Sequence, residues 1–172
     1  MARIIKQGEV REDAWKVVVL AENETPESVR LPVGPLLVPV AVWRARREDL
    51  IAREWEHGWP LGVWPAADEG PEAIAGDLDD FTVVGVQFSK FSDGRGYSTA
   101  RLLRDRYGFR GEVRAFGDVL QDQLFYLQRV GFDAFAVRAD RNIVEALHGL
   151  RDFTAAYQHA HDAGGPLHRR AA

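Results

Sequence analysis

The sequence predicts one α/β domain: a mainly parallel sheet of about five strands, helices on both faces, and a small β-hairpin at the N-terminus. Three observations carry this. From Pro35 onward, short apolar runs alternate with amphipathic helical segments, which implies parallel strands joined by right-handed crossovers. The first twenty residues alternate and break at "KQGE", as a hairpin turning at Gly8 would. At 172 residues, 46% of them apolar, the chain is long enough for one ordinary core and too short for two comfortable ones.

Residues 1–34 read as the hairpin and a polar, proline-containing connection, "AENETPESVRLPVG", with the hairpin placed to cover a sheet edge. Residues 35–160 form the α/β domain, and 161–172 a flexible tail. Within the domain, "LLVPVAVW" (Leu36–Trp43) reads as a buried strand disturbed at Pro39, followed by a charged surface helix that stops at Gly58. "LGVWP" is a second strand, and "GPEAIAGDL" a short helix with Pro71 in its first turn. Phe81–Phe88 is the most hydrophobic strand. A helix over Tyr97–Tyr107, a strand over Glu112–Phe116, a helix over Val119–Val130 and a strand over Phe132–Val137 follow. Asp118 with Gln121 is the expected cap of the Val119–Val130 helix. A last helix starts near Asp140, with Ile143, Leu147, Leu150 and Phe153 on one face. A partial β/α barrel is the alternative, because "VLQDQLFYLQRVGFDAFAV" reads like one helix–strand unit of such a barrel. Five units do not close the usual eight strands, which favours the open sheet.

Composition narrows the chemistry. The chain has no cysteine, so thiol nucleophiles, disulfides, thiolate-held zinc and cysteine-ligated iron–sulfur clusters are excluded. Its one methionine is Met1. A net charge of −4, with the basic residues spread out, opposes nucleic-acid binding. No apolar run approaches a membrane span, and "MARIIKQGEVREDAWK" does not look like a signal peptide, so a cytoplasmic protein is expected.

The densest chemistry lies in "FSKFSDGRGYSTARLLR", which starts at Phe88, where a parallel strand ends and a helix begins. Lys90 and Arg95 bring positive charge, and Ser92 and Ser98 bring hydroxyls. Gly94 and Gly96 leave backbone N–H groups accessible beside a helix N-terminus. The expected ligand is a small anion or phosphate, with Asp93 orienting the turn and Tyr97 and Arg101 within reach. Gly94, Gly96 and Thr99 also fall on a G-x-G-x-x-G spacing with an acid, Asp118, further on. However, "SKFSD" separates the first glycine from the strand, and threonine replaces the third. A nucleotide or flavin there is therefore the alternative, and the plain reading is a turn with Ser98 as a helix cap. No Walker pattern is present.

Asp118, Asp122 and Gln123 are expected on the rim of that site. The two acids, four apart, suit general acid–base work or pairing with Arg95 or Arg101, and acids also favour helix starts on electrostatic grounds alone. His159 and His161 would point to nearly opposite sides of a helix, so no metal site is expected. Trp43, Trp55, Trp59 and Trp64 gather around the first strand–helix units as packing residues; any that are exposed would mark a protein–protein surface.

The run "FSKFSDGRGYSTARLLRDRYGFRGEVRAFGDVLQDQLFYLQRVGFDAF", continued by "DFTAAYQ", resembles the bacterial DUF934 family, a domain of unknown function. Ser89 stands where the family usually carries proline before the lysine. Lys90, Asp93, Arg95 and Ser98 keep the pattern. The resemblance implies an oxidoreductase-associated role in sulfite reduction, hence in sulfate assimilation and cysteine biosynthesis, because such genes neighbour those for sulfite reductase. It assigns no catalytic residue. A chain without redox-competent side chains is more easily an accessory protein than the enzyme itself. The expectation is a partner of sulfite reductase, or of another sulfate-assimilation enzyme, with no tightly bound cofactor. A ligand-free interaction module is the remaining alternative.

Overall fold

The computed structural model describes residues 2–66, 68–90, 94–151 and 161. Eight strands form one sheet: β1 (Ala2–Lys6), β2 (Glu9–Asp13), β3 (Lys16–Val17), β4 (Leu36–Pro39), β5 (Leu61–Trp64), β6 (Val83–Phe88), β7 (Glu112–Gly117) and β8 (Ala134–Phe135). Their spatial order is β2-β1-β8-β7-β6-β5-β4-β3. Strands β3 to β8 run parallel, each beside the next in sequence, and β1 is antiparallel to both β2 and β8. The described helices are α1 (Val40–Ala45), α2 (Arg47–His57), α3 (Arg95–Asp105), α4 (Gln121–Val130) and α5 (Ile143–Ala146), with 3-10 turns at Pro71–Ile74, Leu78–Asp80 and Leu147–Arg151.

The sheet is a half-barrel with eight strands rather than an open sheet with five. Each parallel strand is added on the same side of the last, so right-handed crossovers place every helix on one face. One apolar cluster accordingly joins Val42, Leu50, Ala100, Leu103, Leu124, Leu127 and Ile143 of the helices to Val38, Val63, Val84, Val113 and Phe135 of the strands. Residues one step out of phase on those strands, Leu37, Trp64, Val83 and Phe116, form a separate cluster on the concave face. The expectation of helices on both faces fails because the strand order never reverses, and the expectation of about five strands fails because it counted only the obvious ones. The hairpin and the two-residue β3 supply the rest.

Curvature follows from the connection between the edges. Strand β2 is one edge of the sheet and β3 the other, yet only Ala14 and Trp15 lie between them. Three Cα–Cα steps hold Asp13 and Lys16 within about 11 Å of each other. A flat eight-stranded sheet would separate its outer strands by about 34 Å at the ordinary spacing. The sheet therefore curls until one extended stretch of chain serves both edges.

Close packing fills the concave side. A Cβ on Gly85 would lie 2.8 Å from Leu37 Cδ2 and 3.0 Å from Phe116 Cε1, so no side chain fits. The Trp64 indole N–H donates to Val18 O at 3.2 Å, tying β5 to the end of β3. Arg114 of β7, 2% exposed, donates to both Asp13 carboxylate oxygens (3.1 and 3.0 Å) and to Glu112 Oε1 (2.7 Å). Lys6 pairs with Glu112 Oε2 at 2.5 Å, and the Arg114 guanidinium lies 5.5 Å from the centre of the Trp15 ring. A charge this deeply buried persists because carboxylates and a ring face replace its water.

Local differences from the sequence-based expectation have local causes. The Leu36–Trp43 run is strand only to Pro39, which has no N–H to donate to a sheet ladder and sits at φ −61 as the N-cap of α1. Trp43 is consequently helical; it is buried, and its indole N–H donates to Asp77. Helix α4 starts at Gln121, not Val119, and its cap is Gln123 Oε1 accepting from the Leu120 N–H, instead of the Asp118–Gln121 pair. The "GPEAIAGDL" segment makes two 3-10 turns instead of an α-helix.

Removing the Asp13 carboxylate should uncurl this arrangement. Asp13→Ala is expected to cost about 1.5–3 kcal/mol, the range for a hydrogen bond to a charged group, and to shift Trp15 emission to the red as the ring gains water. Urea unfolding followed by fluorescence measures both; an unchanged midpoint would show that Arg114 does not depend on Asp13.

Candidate functional site

The C-terminal ends of β5, β6, β7 and β8 gather the polar loops, as parallel sheets generally do. Strand β6 ends at Phe88, 1% exposed, and is followed by exposed Ser89 and Lys90. Helix α3 begins at Arg95 with Gly94 at its N-cap, and glycine brings no side chain to accept from the first-turn N–H groups. The Tyr97 N–H bonds to Gly94 O at 3.2 Å. Phe91, Ser92 and Asp93 lie outside the described residues, and with them the expected role of Asp93.

Gly96 is buried against the strand. A Cβ there would come within 2.6 Å of Phe88 Cζ and 3.0 Å of Val86 Cγ1. The middle glycine of the dinucleotide spacing is thus used for packing helix on strand. Gly94, at φ −79, has nothing within 4 Å of an added Cβ, so its small size is not required for packing. Thr99 donates back to Arg95 O at 3.2 Å.

A cleft of about 310 Å³ opens beside this helix start. Arg95, Gly96, Ser98 and Thr99 form one wall; Asp68, Glu69 and Glu72 of the β5–β6 connection form the other; Val86 and Gln87 contribute from β6. The structure brings Arg95, Gly96 and Ser98 together, whereas Lys90 lies outside this lining. Glu69 accepts from the Ala66 N–H at 3.0 Å and pairs with Arg44 at 3.3 Å, which leaves part of its charge compensated. The acidic wall was missed in the sequence because "GPEAIAGDL" reads only as a short helix and its acids do not stand out as part of a site. Its position after a parallel strand was the available signal.

Arg101 does not reach back toward the helix start: it is bonded to Asp105, one turn further on. That pairing, and secondarily His161, holds the Asp105 carboxyl below its ordinary value. Asp118 does not anchor Arg101 either; it pairs with Arg138 beyond β8 at 2.6 Å, and Arg138 also clasps Asp140 at 2.7 and 3.1 Å. The Asp118 N–H donates to Phe88 O at 2.7 Å, drawing the ends of β6 and β7 together. Between them Gly117 sits at φ +96, where a Cβ would lie 2.5 Å from Phe88 O. Sequence reasoning missed Arg138 because it assigned Arg95 or Arg101 as the partner of these acids.

Tyr97 is half-buried between α3 and α4, its ring 5.6 Å from Phe88 and 5.3 Å from Tyr126. Burial pushes its hydroxyl pKa up, opposed by a hydrogen bond with Gln123 and reinforced by Asp122 and Tyr126. Gln123 is therefore a packing and capping residue that touches Tyr97. Asp122 is exposed and lines a second cleft, of about 380 Å³, with Gln121, Arg141, Asn142 and Glu145. Among the described residues no three His, Asp or Glu side chains gather as a metal site, and no helix is long and apolar enough to cross a membrane. His159 lies outside the described residues. The His161 N–H donates to Arg129 O, and its Nδ1 lies 3.4 Å from Asp105.

Two outcomes follow from this geometry. Gly96→Val should cost about 1–3 kcal/mol by overpacking against Phe88, while Gly94→Ala should stay within about 0.5 kcal/mol; parallel urea titrations compare them. The hydrogen bonds from Arg138 hold the Asp140 carboxyl below its ordinary value. The stability this pairing contributes is present above the ordinary aspartate value of 3.8 and is lost as pH falls through the lowered one. Carbon-detected NMR titration should show Asp140 moving up toward 3.8 in Arg138→Gln.

A search of curated proteins finds no match to this chain. The profile of one family, described as bacterial protein of unknown function (DUF934), matches residues 62–168. That span takes in β6 to β8, α3 and both clefts' principal walls, and it covers more than half of the chain. The chain belongs to the DUF934 family.

Proposed function

We propose that this protein is an accessory factor of assimilatory sulfate and sulfite reduction, acting with sulfite reductase and binding a small anion in the cleft beside α3. The observation that carries the reading is the wall of Arg95, Gly96, Ser98 and Thr99 at the first turn of a helix that follows a parallel strand. A guanidinium, the Ser98 hydroxyl and first-turn N–H groups suit an oxyanion. The opposite wall, with Asp68 and Glu72, repels an extended polyphosphate and restricts the ligand to a compact anion of low charge. The sulfur assignment rests on the family resemblance, and the accessory role on the absence of any cysteine or internal methionine that could hold a redox group.

Calorimetric titration with sulfite, sulfate, phosphate and nucleotides tests the cleft. Arg95→Ala should weaken the bound anion by about 1.5–3 kcal/mol without unfolding the protein, and failure of every anion to bind wild type would remove the ligand reading. An absorbance spectrum of the purified protein showing stoichiometric flavin or heme would favour an oxidoreductase instead. A deletion strain should grow on sulfide but not on sulfite; normal growth on every sulfur source would remove the pathway assignment.

A further inference from the structure

The cleft beside α3 is lined by charges of both signs: Arg95 on the helix, and Asp68, Glu69 and Glu72 across from it. Of the three acids, Glu69 is tied into the fold. It accepts from the Ala66 N–H and pairs with Arg44, which also donates to Ala73 O at 3.1 Å. Asp68 and Glu72 are exposed and, among the described residues, make no hydrogen bond or ion pair. Glu72 is nonetheless well placed. A Cβ added to Gly70, itself part of the lining, would lie 2.3 Å from both of its carboxylate oxygens, so the carboxylate rests over that glycine at the edge of the cleft.

A bare anion at the start of α3 would meet these two carboxylates across the cleft. With Arg44 set against Glu69, Asp68 and Glu72 still present two negative charges to a ligand whose oxyanion is held by Arg95, Ser98 and the helix start. A positive charge on the ligand itself turns that repulsion into attraction. An ammonium supplies it better than a divalent cation, because among the described residues no three His, Asp or Glu side chains gather as a metal site. Pro65, Pro71, Val86 and Leu102 add apolar lining, which suits a short hydrocarbon link between the two charges. At about 310 Å³ the cleft lies at the lower end of the range for ligand sites, roughly 300–1,000 Å³, so the molecule is small.

We propose that this cleft takes a small zwitterion, with its carboxylate, sulfonate or phosphate at the first turn of α3 and its ammonium toward Asp68 and Glu72. The inference rests on the anion-binding reading of the cleft and names the class of molecule that carries the anion. The ammonium has three N–H groups to donate, and the two carboxylates accept them as charge-assisted hydrogen bonds.

The test is calorimetric titration of the full chain with three matched pairs: 2-aminoethanesulfonate and ethanesulfonate, L-alanine and propionate, phosphoethanolamine and ethyl phosphate. Sulfite and sulfate are titrated beside them. In at least one pair the amine-bearing member should bind at least about 10-fold tighter than its amine-free partner. Asp68→Asn with Glu72→Gln should abolish that preference, leave the amine-free member bound as well or better, and leave the thermal midpoint unchanged. Arg95→Ala should weaken both members of the pair. Binding of sulfite, sulfate or an amine-free member with no preference for any amine would overturn the zwitterion while the anion reading stands. An amine preference that survives in the double variant would overturn it too, because the ammonium would then lie elsewhere. Binding of nothing at all would remove both readings.

Discussion

The arrangement depends on a single extended stretch, Glu9 to Val18, that supplies both edges of the sheet. Its first half pairs with β1 and its second with β4, and Asp13 within it accepts from Arg114 on β7, near the middle of the strand order. Curling brings these groups together, and their pairing holds the curl. Without the curvature Arg114 would lose Asp13 and the Trp15 ring and keep only Glu112, its neighbour on β7. The space over Gly62 and Gly85 on the concave face is filled by Leu37, Val83, Trp64 and Phe116.

This closure determines where chemistry can occur. Among the described residues the concave face is packed with side chains, and two clefts open where the parallel strands end. There the ends of β6 and β7 are bound by the Asp118 N–H to Phe88 O contact and by the close approach of Gly117, which fixes the base from which α3 departs. Gly96 then lets α3 lie tightly on Phe88. The Arg95–Thr99 wall of the cleft is positioned by backbone contacts and one glycine, while Arg95 and Ser98 remain exposed. A cleft of mixed charge at the C-terminal ends of the strands suits a small ligand.

By itself the sequence determined the alternation of strands and helices from Leu36 onward, the N-terminal hairpin, the family, and the position of the polar loop after Phe88. All of these are local: periodicity, turn residues and motif spacing lie within a few neighbours of each other. It did not reveal that the helices share one face, since that depends on the spatial order of the strands. It did not single out Arg114 within "EVRAF", because burial of that charge is decided by Asp13, Glu112 and Trp15, the first and last of them about a hundred residues away in the chain. The partners of Asp118 and Arg101, and the acidic wall opposite Arg95, are likewise set by which strand ends become neighbours. Only the tertiary structure decides that, because ion pairs form between whichever charges the folded backbone brings within a few ångströms.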